Sequence, residues 1–136
     1  DKLNRCLELG AETAINTRER PLSSVEATYD AVVDFTGATD LIESALSRLG
    51  TGGRLVNLTT FPGRTLDVSP RAQVLGETEV VGSRYCSTHE YLRCGELVAS
   101  GEIEPVVSEV VDLEGVPELL DRIAAGSVTG RGAVVL

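Results

Sequence analysis

Three side chains in this sequence have types and positions that could do chemistry. Asp34 ends an apolar run typical of a buried strand, where ligands gather in open α/β sheets, although a carboxylate there could equally hydrogen-bond the following turn. His89, the single histidine, falls in the first turn of a predicted helix and is expected to be an exposed helix residue in preference to a general base. Arg131 stands between two glycines, so its guanidinium could reach a phosphate, while spacing alone favours a solvated turn. These residues do not add up to a catalytic constellation.

Neither of the familiar phosphate-binding loops is present. The glycine-rich run at residues 50–53 comes before a predicted strand, whereas a phosphate loop follows a strand and opens a helix. We therefore predict a tight turn there. The cysteines Cys6, Cys86 and Cys94 contain no Cys-x-x-Cys pair, so they predict reduced thiols and neither a disulfide framework nor a zinc knuckle.

Composition excludes several classes of protein. With 136 residues, 42% of them hydrophobic, the chain has the size and balance of one globular domain. A net charge of −9 argues against a nucleic-acid partner, because such binding needs clustered cations. We find no apolar run of membrane-spanning length and no secretory signal, and we expect a cytoplasmic protein without a membrane partner. The absence of methionine leads us to interpret Asp1 as a position inside a longer protein.

The elements that must position these side chains alternate between helix and strand. A strand over Tyr29–Thr36 is followed by a helix with its apolar stripe from Leu41 to Leu49, and then by a strand over Arg54–Leu58. This alternation predicts a parallel sheet, and the continuous apolar runs predict that both its faces are covered. The other predicted elements are a helix over residues 1–9, a strand at Thr13–Asn16, a short helix opened by Ser69-Pro70, a strand at Thr78–Gly82, a helix capped by Ser87 and Glu90, a strand at Val106–Val111, a helix at Pro117–Ala125 and a strand at Ala133–Leu136.

The order of these segments is similar to that of the medium-chain dehydrogenase/reductase superfamily, and in particular to the C-terminal part of its zinc-type alcohol dehydrogenases. The similarity spans the whole chain and rests on five segments: residues 2–16, Tyr29–Asp34 with Gly37, Leu49–Val56, Val80–Arg84 and Gly126–Leu136. It implies an α/β fold, a partial Rossmann-type doubly wound parallel sheet lacking its first two strands, followed by a C-terminal return segment. The implied domains are 1–82, part of the nicotinamide-cofactor domain, and 83–136, returning to the catalytic lobe. Because the lost strands are central ones, the third strand must pair with the fourth or leave an open edge.

The resemblance also implies a function, which is hydride transfer between an alcohol or carbonyl substrate and NAD or NADP. The residues that would contact the cofactor follow the strands: Phe35 and Thr36 beside the ribose; Leu58, Thr59 and Thr60 lining the nicotinamide pocket; Ser83, Arg84 and Tyr85 facing the nicotinamide; and Arg131 on the pyrophosphate. The glycine fingerprint, the ribose-binding acid and the lobe that holds zinc in such enzymes would precede Asp1. No catalytic residue and no zinc ligand is therefore assigned, and the chain alone is expected to be inactive.

Two other functions stay open at this point. One is a zinc-free quinone or enoyl reductase of the same superfamily, which the residues before Asp1 would distinguish. The other is a non-catalytic nucleotide-binding or interaction module that kept this half of the fold. Assembly into a homo-oligomer is compatible with each of these alternatives.

Overall fold

The computed structural model describes residues 2–136 and contains five helices, a short 3-10 turn and five strands in that range. Asp1, taken above as the first residue of a helix, lies outside the described residues. In chain order the elements are α1 (Lys2–Glu8), the 3-10 turn (Leu22–Ser24), β1 (Tyr29–Asp34), α2 (Thr39–Leu46), β2 (Leu49–Asn57), α3 (Pro70–Gly76), β3 (Glu79–Gly82), α4 (Thr88–Ala99), β4 (Val107–Val111), α5 (Val116–Ala124) and β5 (Arg131–Val134). Most of the predicted elements are thus confirmed, with ends shifted by a few residues.

The chain forms two compact units. One runs from Ile15 to Tyr85, and the other joins the residues up to Ala14 with Cys86–Leu136. The first helix belongs to the second unit, where Arg5 forms a salt bridge with Glu104 at 2.7 Å. The compact units therefore differ from the implied domains 1–82 and 83–136, because the first helix packs with the C-terminal segment. As a division of functional domains, the boundary after residue 82 stays a prediction.

The unit Ile15–Tyr85 is built on a parallel sheet of order β1-β2-β3, which confirms the predicted α/β architecture. Its core is Leu55, which is fully buried, with Ile42 and Ala45 of α2 against it. Val33 and Val81, on the alternate positions of β1 and β3, are 50% and 37% exposed. Coverage of the other face, which the continuous apolar runs predict, stays a prediction. Successive side chains of a strand point to opposite faces, and α2 packs on one of them.

Two local predictions next to this sheet are wrong. Thr13–Asn16 forms no strand, so β1 pairs only with β2 among residues 2–136 and leaves its other edge open. The glycine run 50–53 lies inside β2, where the pairing slips from Tyr29↔Leu49 to Ala31↔Arg54. It is a bulge within the strand and not a turn before it. Gly53 suits this bulge, because a Cβ there would lie 2.8 Å from the Gly50 carbonyl oxygen.

The second unit contains the parallel pair β4-β5 with α5 between the two strands in the chain. Its buried residues are Leu119 of α5 and Val128. The predicted cap of α4 is confirmed, since Ser87 Oγ accepts a hydrogen bond from the Glu90 amide and the Glu90 side chain bonds back to the Ser87 amide. Across residues 2–136, no helix has the length and apolar character needed to span a bilayer.

Candidate cofactor-binding edge of the sheet

The three strands of the first unit end side by side. Asp34 is in register with Asn57, and Asn57 with Gly82, so the segments that follow lie along one side of the sheet. We call residues 35–38, 58–69 and 83–85 the carboxyl edge. Hydrogen bonds join its segments to the neighbouring strand ends: Leu58 N donates to Asp34 O at 3.0 Å, and Ser83 N donates to Asn57 O at 2.9 Å. All the predicted site residues except Arg131 lie in these segments.

Asp34 organises the first of these segments. Its carboxylate accepts hydrogen bonds from Thr36 Oγ1 at 2.6 Å, from Thr36 N at 3.0 Å and from Gly37 N at 2.8 Å. Desolvation of the buried carboxyl is the largest single influence and raises its pKa, but the bonds from Thr36 and Gly37 together outweigh it and leave the pKa of Asp34 below its ordinary value. The sequence left two roles open for Asp34, ligand binding and hydrogen bonding to the following turn, and the structure shows the second. The hydroxyl of Thr36 is thereby engaged in the turn as well.

Gly37 lets the second segment close over the first. Its φ is +65°, and a Cβ there would lie 3.0 Å from the Phe61 ring, so a larger residue would push the two segments apart. Thr59 Oγ1 donates to the Phe35 carbonyl at 3.0 Å and fastens the same pair of segments. A small cleft of about 160 Å³ lies between these segments and is lined among others by Thr39, Thr60 and Arg64.

The outward side of the carboxyl edge is open and partly apolar. Phe35 is 72% exposed and Leu58 is 38% exposed, so both side chains can contact a ligand at this edge. Tyr85 is also exposed and has a positive φ of 56°. The Arg84 guanidinium carbon lies 4.9 Å from the centre of the Tyr85 ring, a cation–π distance. The third segment therefore presents a cation on an aromatic ring.

This donor set fits one part of a dinucleotide. Exposed Phe35 and Leu58 can lie against a flat ring, and the hydroxyl of Thr60, which has no hydrogen-bond partner within residues 2–136, can bond its amide or sugar. Nothing in the described chain provides a glycine-rich turn that opens a helix toward a pyrophosphate. No cluster of three His, Cys, Asp or Glu side chains within residues 2–136 could hold a metal ion, so no zinc ligand is assigned to them.

The remaining candidates lie in the other unit. Arg131 is the first residue of β5, and its amide donates to the Val106 carbonyl at 2.7 Å while its side chain is exposed. Gly130, at φ +99°, has no room for a Cβ against that same carbonyl, so the backbone before Arg131 is fixed. His89 is an exposed residue of the first turn of α4, as the sequence predicted.

Sequence reasoning missed Arg64, a charged residue of the carboxyl edge. Arg64 lines the cleft, but the sequence analysis did not propose it as a site residue. The available signal was an arginine in the connection after a buried parallel strand of an acidic chain. In such a sheet that connection belongs to the ligand side.

Comparison with known proteins identifies the family. Residues 9–135 match the family described as zinc-binding dehydrogenase. An NAD-dependent alcohol dehydrogenase from Sulfolobus acidocaldarius is 29% identical over 103 residues, which are 75% of this chain and 30% of that enzyme. An alcohol dehydrogenase from Geobacillus stearothermophilus is 28% identical over 138 aligned residues, 96% of this chain and 39% of that enzyme. The chain thus spans well under half the length of the curated relatives it matches.

A solved structure agrees with this result at the level of the fold. The alcohol dehydrogenase from Aeropyrum pernix superposes with a TM-score of 0.83 at 23% identity, over 96% of this chain and 38% of that one. At this identity the superposition shows the fold alone, a Rossmann-type α/β architecture. The family match covers nearly the whole sequence and agrees with the resemblance found in its segments. The chain therefore belongs to the zinc-binding dehydrogenase family, a family of oxidoreductases.

Proposed function

We propose that this chain supplies the nicotinamide-facing part of an NAD(P)-dependent alcohol dehydrogenase, and that catalysis needs further polypeptide. The observation that carries the proposal is the convergence of three strand ends. They bring Phe35, Leu58 and Ser83 to one edge of a sheet in a chain of the zinc-binding dehydrogenase family. Ligands bind at this edge in open parallel sheets.

The residues of the carboxyl edge would bind and orient the cofactor. Phe35 and Thr36 would lie beside the ribose, Leu58, Thr59 and Thr60 would line the nicotinamide pocket, and Ser83, Arg84 and Tyr85 would face the ring. When bound, the nicotinamide supplies the hydride acceptor or donor for an alcohol or carbonyl substrate. Arg131 would neutralise the pyrophosphate from the segment that returns to the catalytic lobe, in keeping with functional domains of 1–82 and 83–136.

The proposal can be tested with the purified chain. We expect no alcohol-dependent reduction of NAD or NADP, because no group of side chains within residues 2–136 could hold a metal ion and no catalytic residue is assigned to this sequence. We also expect cofactor affinity weaker than micromolar by calorimetry, since the pyrophosphate lacks a glycine turn and a helix N-terminus. Turnover by the chain alone, or a micromolar dissociation constant, would show that a complete site is present.

The substrate class is tested in the longer enzyme. We expect NAD(P)-dependent oxidation of alcohols and the reverse reduction of aldehydes or ketones. Reduction of quinones or enoyl compounds in place of alcohol oxidation would instead assign the enzyme to the zinc-free reductases. Cofactor binding without turnover of either substrate class would indicate a nucleotide-binding module.

A further inference from the structure

A groove in the unit Ile15–Tyr85 lies apart from the residues assigned to the cofactor. It runs between α2 and α3 and reaches Leu49, which begins β2, and Thr78, which precedes β3, so we call it the α2–α3 groove. None of the residues proposed to contact NAD or NADP lines it. Its volume is about 310 Å³, within the range of sites that bind small molecules.

The floor of the α2–α3 groove is apolar. Leu46 of α2 and Leu49 of β2 line it and also pack against the core around Leu55, which fixes their positions. Val68 and Ala72 add apolar surface on the side of α3. Because Leu46 and Leu49 are only half-buried, part of each side chain can still contact a ligand. The floor therefore suits a hydrocarbon chain or ring.

Two carboxylates lie beside this floor and are adjacent to each other. Glu43 Oε1 accepts a hydrogen bond from Asp67 N at 2.9 Å, and both residues line the groove. The second carboxylate oxygen of Glu43 and the carboxylate of Asp67 have no hydrogen-bond or ion-pair partner within residues 2–136. Ionised oxygens of this kind form charge-assisted hydrogen bonds with ammonium groups. They are therefore acceptors that a bound cation can use.

The charge around the α2–α3 groove is negative even when the neighbouring residues are included. No basic side chain is among the described residues that line it. Arg48 donates to the backbone of the 3-10 turn, and Arg71 is exposed and pairs with no acid in the part of the chain that the structure describes. Asp40, one helical turn before Glu43, and Glu77, directly after α3, add negative charge. The groove therefore attracts cations and repels anions.

We propose that the α2–α3 groove binds a small organic cation, which is an ammonium group on an apolar chain or ring. The ammonium donates hydrogen bonds to the carboxylates of Glu43 and Asp67, and the apolar part covers Leu46 and Leu49. The side chain of half-buried Gln73 also lines the groove, has no hydrogen-bond partner among the described residues and accepts a further N–H through its amide oxygen. This site goes beyond the proposed function and does not depend on it.

The test measures dissociation constants by calorimetry in the longer enzyme that contains this chain, with NAD or NADP at saturation so that the cofactor site is filled. The probe is 2-phenylethylamine, and its neutral and anionic counterparts are phenylacetamide and phenylacetate. We expect saturable binding of the amine, weaker binding of the amide and no binding of the acid. Glu43→Gln should raise the Kd of the amine by about 10-fold, the lower end for a charge-assisted bond because the groove is open to water. This variant keeps an acceptor for the Asp67 amide.

Two further variants locate the site. Ala72→Phe places a ring in the groove from an exposed position of α3, so it should abolish binding of the amine and leave the Tm and the KM for the cofactor nearly unchanged. Glu26→Gln is the matched control, because it removes the same charge from an exposed residue of the same unit outside the groove, and it should leave the Kd unchanged. An unchanged Kd in either groove variant, or an equal loss in Glu26→Gln, would overturn the inference.

The outcomes for the groove and for the carboxyl edge are separable. An active alcohol dehydrogenase that does not bind the amine, or that binds the amide and the acid equally well, would contradict the inference and leave the proposed function intact. Binding of the amine with the expected loss in Glu43→Gln, in an enzyme that turns over no alcohol, would support the cation site and reject the proposed function.

Discussion

The two compact units stabilise their strands in different ways. The unit Ile15–Tyr85 has a three-stranded sheet with fully buried Leu55 at its centre, whereas the other unit has a two-stranded sheet with Leu119 and Val128 as its buried apolar residues. In the second unit the first helix is also held by exposed polar contacts, such as the bond from Lys2 Nζ to the Gly126 carbonyl at 3.2 Å. Exposed ion pairs contribute little free energy compared with apolar burial. The first unit therefore buries more apolar side chains than the second, and its strand ends form the candidate binding edge.

The largest expected effect comes from breaking that core. Leu55→Ala should lower the free energy of unfolding by about 2–5 kcal/mol, because it removes a fully buried side chain and leaves a cavity. Urea denaturation followed by circular dichroism measures the change. Leu120→Ala on the exposed side of α5 is the control and should change it by no more than about 0.5 kcal/mol. A loss for Leu55→Ala as small as the control would show that α2 and the sheet do not form the core.

Arg131 tests whether the second unit contributes to the same cofactor. In the active enzyme, Arg131→Ala should raise the KM for NAD or NADP by about 10- to 100-fold, since a charge-assisted bond to phosphate is worth roughly 1.5–3 kcal/mol. Stability should hardly change, because the side chain is exposed, and Arg131→Lys should recover part of the affinity. An unchanged KM for both cofactors would mean that Arg131 is only a surface residue at the start of β5.

Asp34 tests how the first unit holds its edge. Asp34→Asn should lower stability by about 1–3 kcal/mol at neutral pH, because a carboxamide accepts at only one oxygen and loses the charge-assisted bonds to Thr36 and Gly37. The pKa of Asp34 is lowered on folding, so its contribution is complete above the unfolded carboxyl pKa of about 4 and is lost as the pH falls through the folded value. The difference between wild type and variant should therefore shrink in acid. Asp30→Asn, exposed on the same strand, is the control, and a difference independent of pH would contradict the assigned bonds.

The smallest effect is expected at the cap of α4 in the second unit. Ser87→Ala removes the side chain that accepts from the Glu90 amide and should cost about 1 kcal/mol. The carboxyl of Glu90 loses a partner that lowers its pKa, so its pKa should move back toward the ordinary glutamate value. Carbon-13 NMR titration of Glu90 measures this shift. An unchanged pKa in the variant would show that the capping box does not form in solution.

The sequence predicted the sheet well where its signals were local. The apolar runs of β1 and β2, the glycine after β1 and the Ser87 cap all act through neighbouring residues. The strand predicted at Thr13–Asn16 is wrong because a short apolar stretch becomes a strand only where it hydrogen-bonds to a neighbouring strand, and this stretch pairs with none in residues 2–136 although one edge of β1 stays open. The bulge at Gly50–Gly53 depends on pairing with Tyr29, which no pattern within the run reveals.

The candidate site was predictable in part for the same reason. Residues directly after strands could be assigned to one edge from parallel topology, because the strand ends come together in any such sheet. The role of Asp34 could not be chosen from the sequence, since an aspartate at the end of a strand is typical both of a ligand-binding residue and of a residue that hydrogen-bonds the following turn. Arg64 was missed because it follows β2 by several residues, and no pattern in the neighbouring sequence shows that this connection returns to the cleft.

The central claim is that the carboxyl edge of the unit Ile15–Tyr85 binds the nicotinamide cofactor. Hydrogen exchange of the active enzyme with and without saturating NAD or NADP tests it directly. We predict slower exchange in residues 35–38, 58–60 and 83–85, and no change at the opposite end of the same sheet, in residues 26–28 and 77–78. Cofactor saturation that leaves the three segments unprotected, or that protects the opposite end instead, would contradict the claim.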